Sequence, residues 1–540
     1  MPILRVLGLT LLLAAPALTQ EHQHPSAPGE KLGTVHFPTS CTAAAQPQFD
    51  RGVALLHSFE FASAIDAFHL TLATDPTCAI AQWGIALSRW GNPFAPGIRP
   101  VAQLERGRDA VDRARVIRAR TEREQSYIDA VSKLYGDFEK TDQRDRVLAY
   151  RDAMAALAGR YRDDSEATIF YALSLAGSAE PTDKTYASQL KAGAMLEELL
   201  AAHPDHPGLA HYIIHSYDVP PLATRALDAA RRYAKIAPSA PHALHMPSHT
   251  FTRVGSWQES IDTNILSATA SRRDHAVSEE LHATDYQMYA YLQTAQDGAA
   301  KRLLDSLSEI ASRFDENAIG SAAPGSAGVF ALAAVPARWA LERRAWAEAA
   351  SLQPSPSGFP YTEAMTYFAR ALGATHTGDI ATAQSAIDAL QQLRDRLSQA
   401  HEAYWVEQVD IQRIGAHAWL ALAQGEKADA LSEMRAAADR EDRTEKAAVT
   451  PGPIAPAREL LGEMLLQTNE PALALKEFEA TLTREPNRFR ALYGAAQAAS
   501  LSGNRAAARK YYGELLKVCQ RADRPGRPEL ATAERMIASP

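Results

Sequence analysis

The chain has 540 residues, 46% of them hydrophobic and 22% charged, which is too apolar for a disordered protein and long enough for several packing units. Lys and Arg number 56 against 64 Asp and Glu, a net charge of -8, and no basic run stands out, which argues against a dedicated nucleic-acid surface. Aromatic residues make up 7% while alanine is abundant, and this favours helices over sheets.

In chain order, Met1 to Ala17 carries Arg5 as its only charge, an apolar run from Val6 to Leu13 and a small-x-small site at Ala15-Pro16-Ala17. That is the pattern of a secretory signal peptide. The run is too short to cross a bilayer, which takes about 20 residues, and no later stretch of that length lacks charge. The expectation is an exported protein, periplasmic or extracellular, without a stable membrane span. Residues 18–43 then form an N-terminal arm. Cys41 and Cys78 each precede a predicted helix, so a disulfide between them and a pair of partly buried thiols both fit; Cys519 is expected to be buried in the last helix. Thr121 and Glu124 have the spacing of a capping box.

Repeats organise the rest. Gly462, Ala474 and Phe478 lie at steps of twelve and four, and Ala508 and Tyr512 repeat the last two after 34 residues. Ala64, Phe68 and Pro76 keep the same spacing near the N-terminus. This period resembles the tetratricopeptide repeat, and the resemblance implies an all-α superhelical solenoid of paired helices. Pro/Gly-rich residues 91–100 interrupt it. Gly/Ser/Pro-rich residues 317–329 and 353–360 place a linker or lid at 316–360, between an N-terminal array at 44–315 and a C-terminal array at 361–525, with a tail at 526–540.

The likeness extends further. His36 to Cys41 read His-Phe-Pro-Thr-Ser-Cys, followed by Phe49, Gly52 and Leu56-His57-Ser58-Phe59; Asp75 to Ala79 lead into Trp83-Gly84; and His242 to His249 read His-x-x-His-Met-Pro-Ser-His ahead of Thr252, Arg253 and Gly255. Over nearly the whole mature length the sequence resembles exported bacterial tetratricopeptide-repeat proteins with these segments. The resemblance implies fold and export and carries no activity with it.

Nine of the 17 histidines fall between His203 and His282, where chance would put about 2.5. His211 and His215 are four apart, as are His245 and His249, and the second pair follows the first by 34 residues. On the repeat pattern His211 and His215 occupy positions 5 and 9 of one helix A, His242, His245 and His249 positions 2, 5 and 9 of the next, and His282, Asp285 and Tyr289 the same positions of a third. The resemblance implies that these positions line the concave groove. Imidazoles at i and i+4 share a helix face, so the rings of His211, His215, His245 and His249 are expected to converge on one cation, with His242, His282 and Asp285 in reach. Imidazole donors suit Zn, Cu, Ni or Fe(II). A polar groove for a peptide or small ligand, and a purely structural cluster, remain open beside the metal. Pro247 either kinks its helix or starts it, leaving His242 and His245 in a loop.

The function expected is binding or scaffolding through a His-lined groove. The alternative is a metal-dependent hydrolase or oxidoreductase, with Asp218 or Asp285 as base and Tyr289 or Arg253 as electrostatic support. No His-Glu-x-x-His, Gly-x-Ser-x-Gly, Walker or haem-attachment motif occurs, since Trp405 stands where His401-Glu402 would need a second ligand. His36 and His57 are expected to hold the N-terminal arm on the first repeat.

Overall fold

The computed structural model describes residues 29–95, 97–318 and 321–538, so the segment Met1–Ala17 lies outside the described residues. Among the described residues there are twenty-six α-helices, one 3₁₀ turn and no strand, and within Lys31–Pro540 helices pack mainly on their neighbours in sequence. The fold is an all-α tetratricopeptide-type solenoid.

One packing unit shows why the repeat folds as it does. Phe68 is fully buried between Gly52 of the helix Gln46–His57 and Gly84 of the helix Ala79–Trp90, where a Cβ would lie 2.7 and 2.4 Å from the ring. Phe478 repeats the arrangement between Gly462 and Gly494, at 2.9 and 2.4 Å. Each glycine lets one helix of a pair close on a large ring, and burying such a ring contributes about 1.5–3 kcal/mol.

The core forms two large clusters, one running from Leu32 to Phe251 with Ala322 added, the other from Ala295 to Ala533. The linker expected at 316–360 is therefore mostly structure. Gly325–Glu342 is a helix that buries Phe330, Ala334 and Leu341, and Trp346–Ser351 is a second, short helix. The Gly/Ser/Pro residues that suggested a linker occupy only its edges, while the alanine-rich run between them packs. The expected tail likewise holds a helix, Pro528–Ala538, seated through Leu530 and Ala533. Cys519 is buried as expected but caps Arg505–Val518, one helix before the end.

The superhelix closes on itself. Trp257 Nε1 donates to the Asn487 carbonyl at 2.8 Å, Tyr289 Oη donates to Glu485 at 2.6 Å, and Phe489 N donates to Gln293 Oε1 at 2.9 Å. The concave face is thus lined by the C-terminal repeats as well as the N-terminal ones.

Cys41 and Cys78 form a disulfide with Cα atoms 5.0 Å apart. The N-terminal arm is held by it and by carboxylates: Asp50 accepts from Phe37 N, Asp75 from Thr42 N and Glu124 from Ser40 Oγ. Thr121 accepts from Glu124 N as a capping residue, but the Glu124 carboxylate goes to the arm. His36 contacts Asp50 at 3.1 Å and is largely exposed. His57 takes no part in holding the arm. It is fully buried against Glu166 and Tyr212.

Candidate metal centre

Four helices carry the histidine cluster: Pro207–Ser216, Pro241–His245, Pro247–Arg253 and Val277–Gln293. The first three begin with proline, whose missing N–H costs nothing in a first turn. Pro247 neither leaves a loop nor bends one continuous helix. Met246 keeps helical dihedrals (φ -53°, ψ -35°), so two short helices abut at that residue. The ligands fall into two groups. His242 faces His211 and His215, while His245 and His249 face His282. In place of one four-histidine point there are two triads, in each of which the candidate ligand atoms lie within 4.8 Å of one another, and all six side chains are buried.

In the triad of His245, His249 and His282 the protons can be placed. Asn264 donates its Nδ2 to the Ser260 carbonyl at 2.7 Å, which turns Oδ1 towards His245 Nδ1 at 2.7 Å. His245 Nδ1 is therefore the donor. His249 Nδ1 lies 2.9 Å from Asp218 Oδ2 and donates to it. Burial would raise the Asp218 carboxyl, but Lys446 at 2.8 Å and Arg253 at 2.8 Å hold it ionised, well below its ordinary value. Burial keeps both imidazoles neutral, His245 well below its usual pKa and His249 pushed down to about 4. The two remaining nitrogens, His245 Nε2 and His249 Nε2, then point lone pairs at each other across 3.1 Å. His282 Nδ1 is buried without a hydrogen-bond partner, and burial lowers that imidazole to about 3.

The triad of His211, His215 and His242 repeats the pattern. His211 Nδ1 donates to the His57 carbonyl at 2.6 Å, leaving Nε2 unpartnered. His215 Nε2 and both nitrogens of His242 are also buried without hydrogen bonds, with Glu279 Oε2 3.5 Å from His242 Nδ1. Aromatic rings wall this triad. Phe94, from the segment 91–100, stacks on His215 with centroids 4.1 Å apart, and Phe59 meets His211 edge-on at 4.4 Å. Phe59 reaches that place from a left-handed backbone (φ 58°), a conformation bulky residues adopt only when packing imposes it.

The other residues singled out in the sequence have different partners. Asp285 is no ligand: it pairs with Arg338 at 2.8 Å, fully buried, and Arg338 also holds the Gly452 and Pro453 carbonyls. Tyr289 is committed to Glu485 and Arg488, so it ties the two halves together and does not face an open groove. Arg253 and Asp218 meet each other, and Asp218 orients His249. The groove itself is filled where the histidines lie, because Lys446 reaches Asp218 and the Thr450 carbonyl accepts from Tyr286 Oη at 3.1 Å. Outside the cluster, His376 stacks on Trp346 and His417 meets Glu433.

Sequence reasoning missed Asn264, Glu279, Phe59, Phe94, Tyr286 and Lys446. Glu279 was within reach, since it stands three residues before His282 on one helix face. Lys446 was not, being some 200 residues away from the cluster. A third buried group, His57, Glu166 and His206, is closed by hydrogen bonds of 2.8 and 3.0 Å from the two rings to the two carboxylate oxygens.

No family model matches the chain, and no curated protein matches it. Among solved structures, the human IFIT1 dimer with PPP-AAAA is 12% identical, covering 82% of this chain and 90% of that one with a TM-score of 0.37. A monomeric IFIT1 mutant with Gppp-AAAA is 11% identical over 89% of this chain and 98% of that one, with a TM-score of 0.34. The repeat architecture rests on the glycine–phenylalanine packing of the chain itself.

Proposed function

We propose that this is an exported helical-repeat binding protein in which His245, His249 and His282 hold one transition-metal ion. The observation that carries this reading is the 3.1 Å approach of His245 Nε2 to His249 Nε2, each with its proton committed to Nδ1. Two neutral imidazoles with facing lone pairs repel unless a cation lies between them, and a proton is disfavoured there by burial. An ion bound at about 2.0–2.1 Å to each nitrogen brings ligand atoms to roughly 3.3 Å from one another, so modest ring rotations suffice. Asp218 behind His249 and Asn264 behind His245 are the outer hydrogen bonds that fix imidazole ligands at metals. Three neutral nitrogens suit Zn, Cu, Ni or Fe(II).

Lys446 and Thr450 occupy the concave face beside the triads, which favours a small buried guest over a peptide laid along the groove. Export is supported by the Met1–Ala17 pattern and by the Cys41–Cys78 disulfide, a bond that persists in oxidising compartments. Among the described residues no helix is long and apolar enough to cross a membrane. The test is zinc uptake by untagged protein, with His245→Ala and His282→Ala expected to weaken the site by at least tenfold. A wild type that takes up no zinc, copper, nickel or iron contradicts the reading.

A further inference from the structure

We infer that the chain holds a second ion, at His211, His215 and His242, so that six histidines form a two-ion centre. This rests on the metal reading of the neighbouring triad and extends it.

The first ground is polar groups left without partners. His211 Nε2, His215 Nε2 and both nitrogens of His242 are buried and make no hydrogen bond, an arrangement that proteins avoid unless something else satisfies the atoms. A cation satisfies one nitrogen of each ring together, while His242 Nδ1 faces Glu279 Oε2. The second ground is charge. Glu279 is almost fully buried, its Oε1 accepts from Ser321 Oγ and Ala323 N, and its Oε2 faces His242 with no hydrogen bond. It meets the His242 ring at 3.5 Å. A buried carboxylate backed onto an imidazole serves a metal ligand as Asp218 serves His249, and the ion beyond the ring balances its charge.

The third ground is the match between the triads. The 34-residue recurrence that sets His211 against His245 and His215 against His249 also repeats the outer partner: the His57 carbonyl behind His211 stands where Asn264 Oδ1 stands behind His245. The triads adjoin. His215 and His249 have ring centroids 5.8 Å apart and His242 and His245 5.9 Å, as close as rings within one triad such as His211 and His242 at 5.1 Å or His249 and His282 at 6.2 Å. Phe59 and Phe94 pack against His211 and His215 of the second site.

The experiment is equilibrium dialysis of untagged protein against Zn(II) with zinc counted per chain, together with anomalous diffraction at the zinc edge. The expected result is two equivalents and two peaks, one inside each triad, falling to one equivalent in His211→Ala/His242→Ala. One equivalent with a single peak among His245, His249 and His282 overturns this inference and leaves the proposed function standing. No uptake of zinc, nor of copper, nickel or iron dialysed in its place, overturns both. Should the double variant not fold, the peak count in the wild type decides by itself.

Discussion

Asp218 Oδ2 accepts a hydrogen bond from His249 Nδ1 at 2.9 Å while Lys446 holds the same oxygen and Arg253 holds Oδ1. The aspartate therefore sets the tautomer that turns His249 Nε2 towards His245. Asp218→Asn keeps the shape but removes the charge that faces Lys446 and Arg253. Zinc affinity is expected to fall 10- to 100-fold, measured by competition with a chromogenic chelator on protein whose helical circular dichroism is unchanged. An affinity equal to wild type contradicts the role given to Asp218.

Acid should weaken the metal-free protein through the same rings. His249 and His282 are lowered, chiefly by burial, to about 4 and about 3, whereas in the unfolded chain they titrate near 6.5. Below pH 6.5 the unfolded state binds protons that the folded state refuses. The stability contributed is full above 6.5 and is lost as pH falls towards 4, on the order of 3 kcal/mol from His249 alone. Urea midpoints at pH 7.5 and 4.5 measure it, and His249→Gln should flatten the profile. A wild type equally stable at both values is the contrary result.

The disulfide closes a loop with a sequence separation of 37. Cys41→Ser/Cys78→Ser is expected to lower stability by about 3–4 kcal/mol. Non-reducing mass spectrometry of the exported protein should show these two thiols bonded and Cys519 free, and the unfolding midpoint of the double variant measures the rest. Free thiols at Cys41 and Cys78 contradict the account.

Gly84 and Gly494 each meet a phenylalanine at 2.4 Å from where a Cβ would stand. Alanine at either position forces the helices apart and should cost about 1–3 kcal/mol, read as a lower thermal midpoint. Gly159, with nothing near its Cβ position, is the control and should tolerate alanine without loss.

Much of this fold is legible in the sequence because the repeat is a local matter: Phe68, Phe478 and the small residues around them recur at intervals that pack one helix hairpin at a time. The pairing of His211 with His215 and of His245 with His249 is legible for the same reason. How they group is not. His242 and His245 lie three apart on the one short helix Pro241–His245 and still go to different triads, a division that the i, i+4 pattern does not contain. Nor does local pattern show that Arg338 takes Asp285, that Lys446 comes across to Asp218, or that Phe94, in a stretch that looks like a mere interruption, stacks on His215. These contacts join residues from about 50 to over 200 positions apart, set by how the solenoid closes.

The most direct measurement is zinc K-edge X-ray absorption on untagged protein loaded with one equivalent of Zn(II). The expected spectrum has a first shell of nitrogen at about 2.0–2.1 Å with the outer scattering of at least three imidazoles, and it collapses when His245→Ala/His282→Ala is combined with His211→Ala/His242→Ala. A shell of oxygen without imidazole scattering, or protein that leaves zinc, copper, nickel and iron alike in solution, contradicts the centre at His245, His249 and His282.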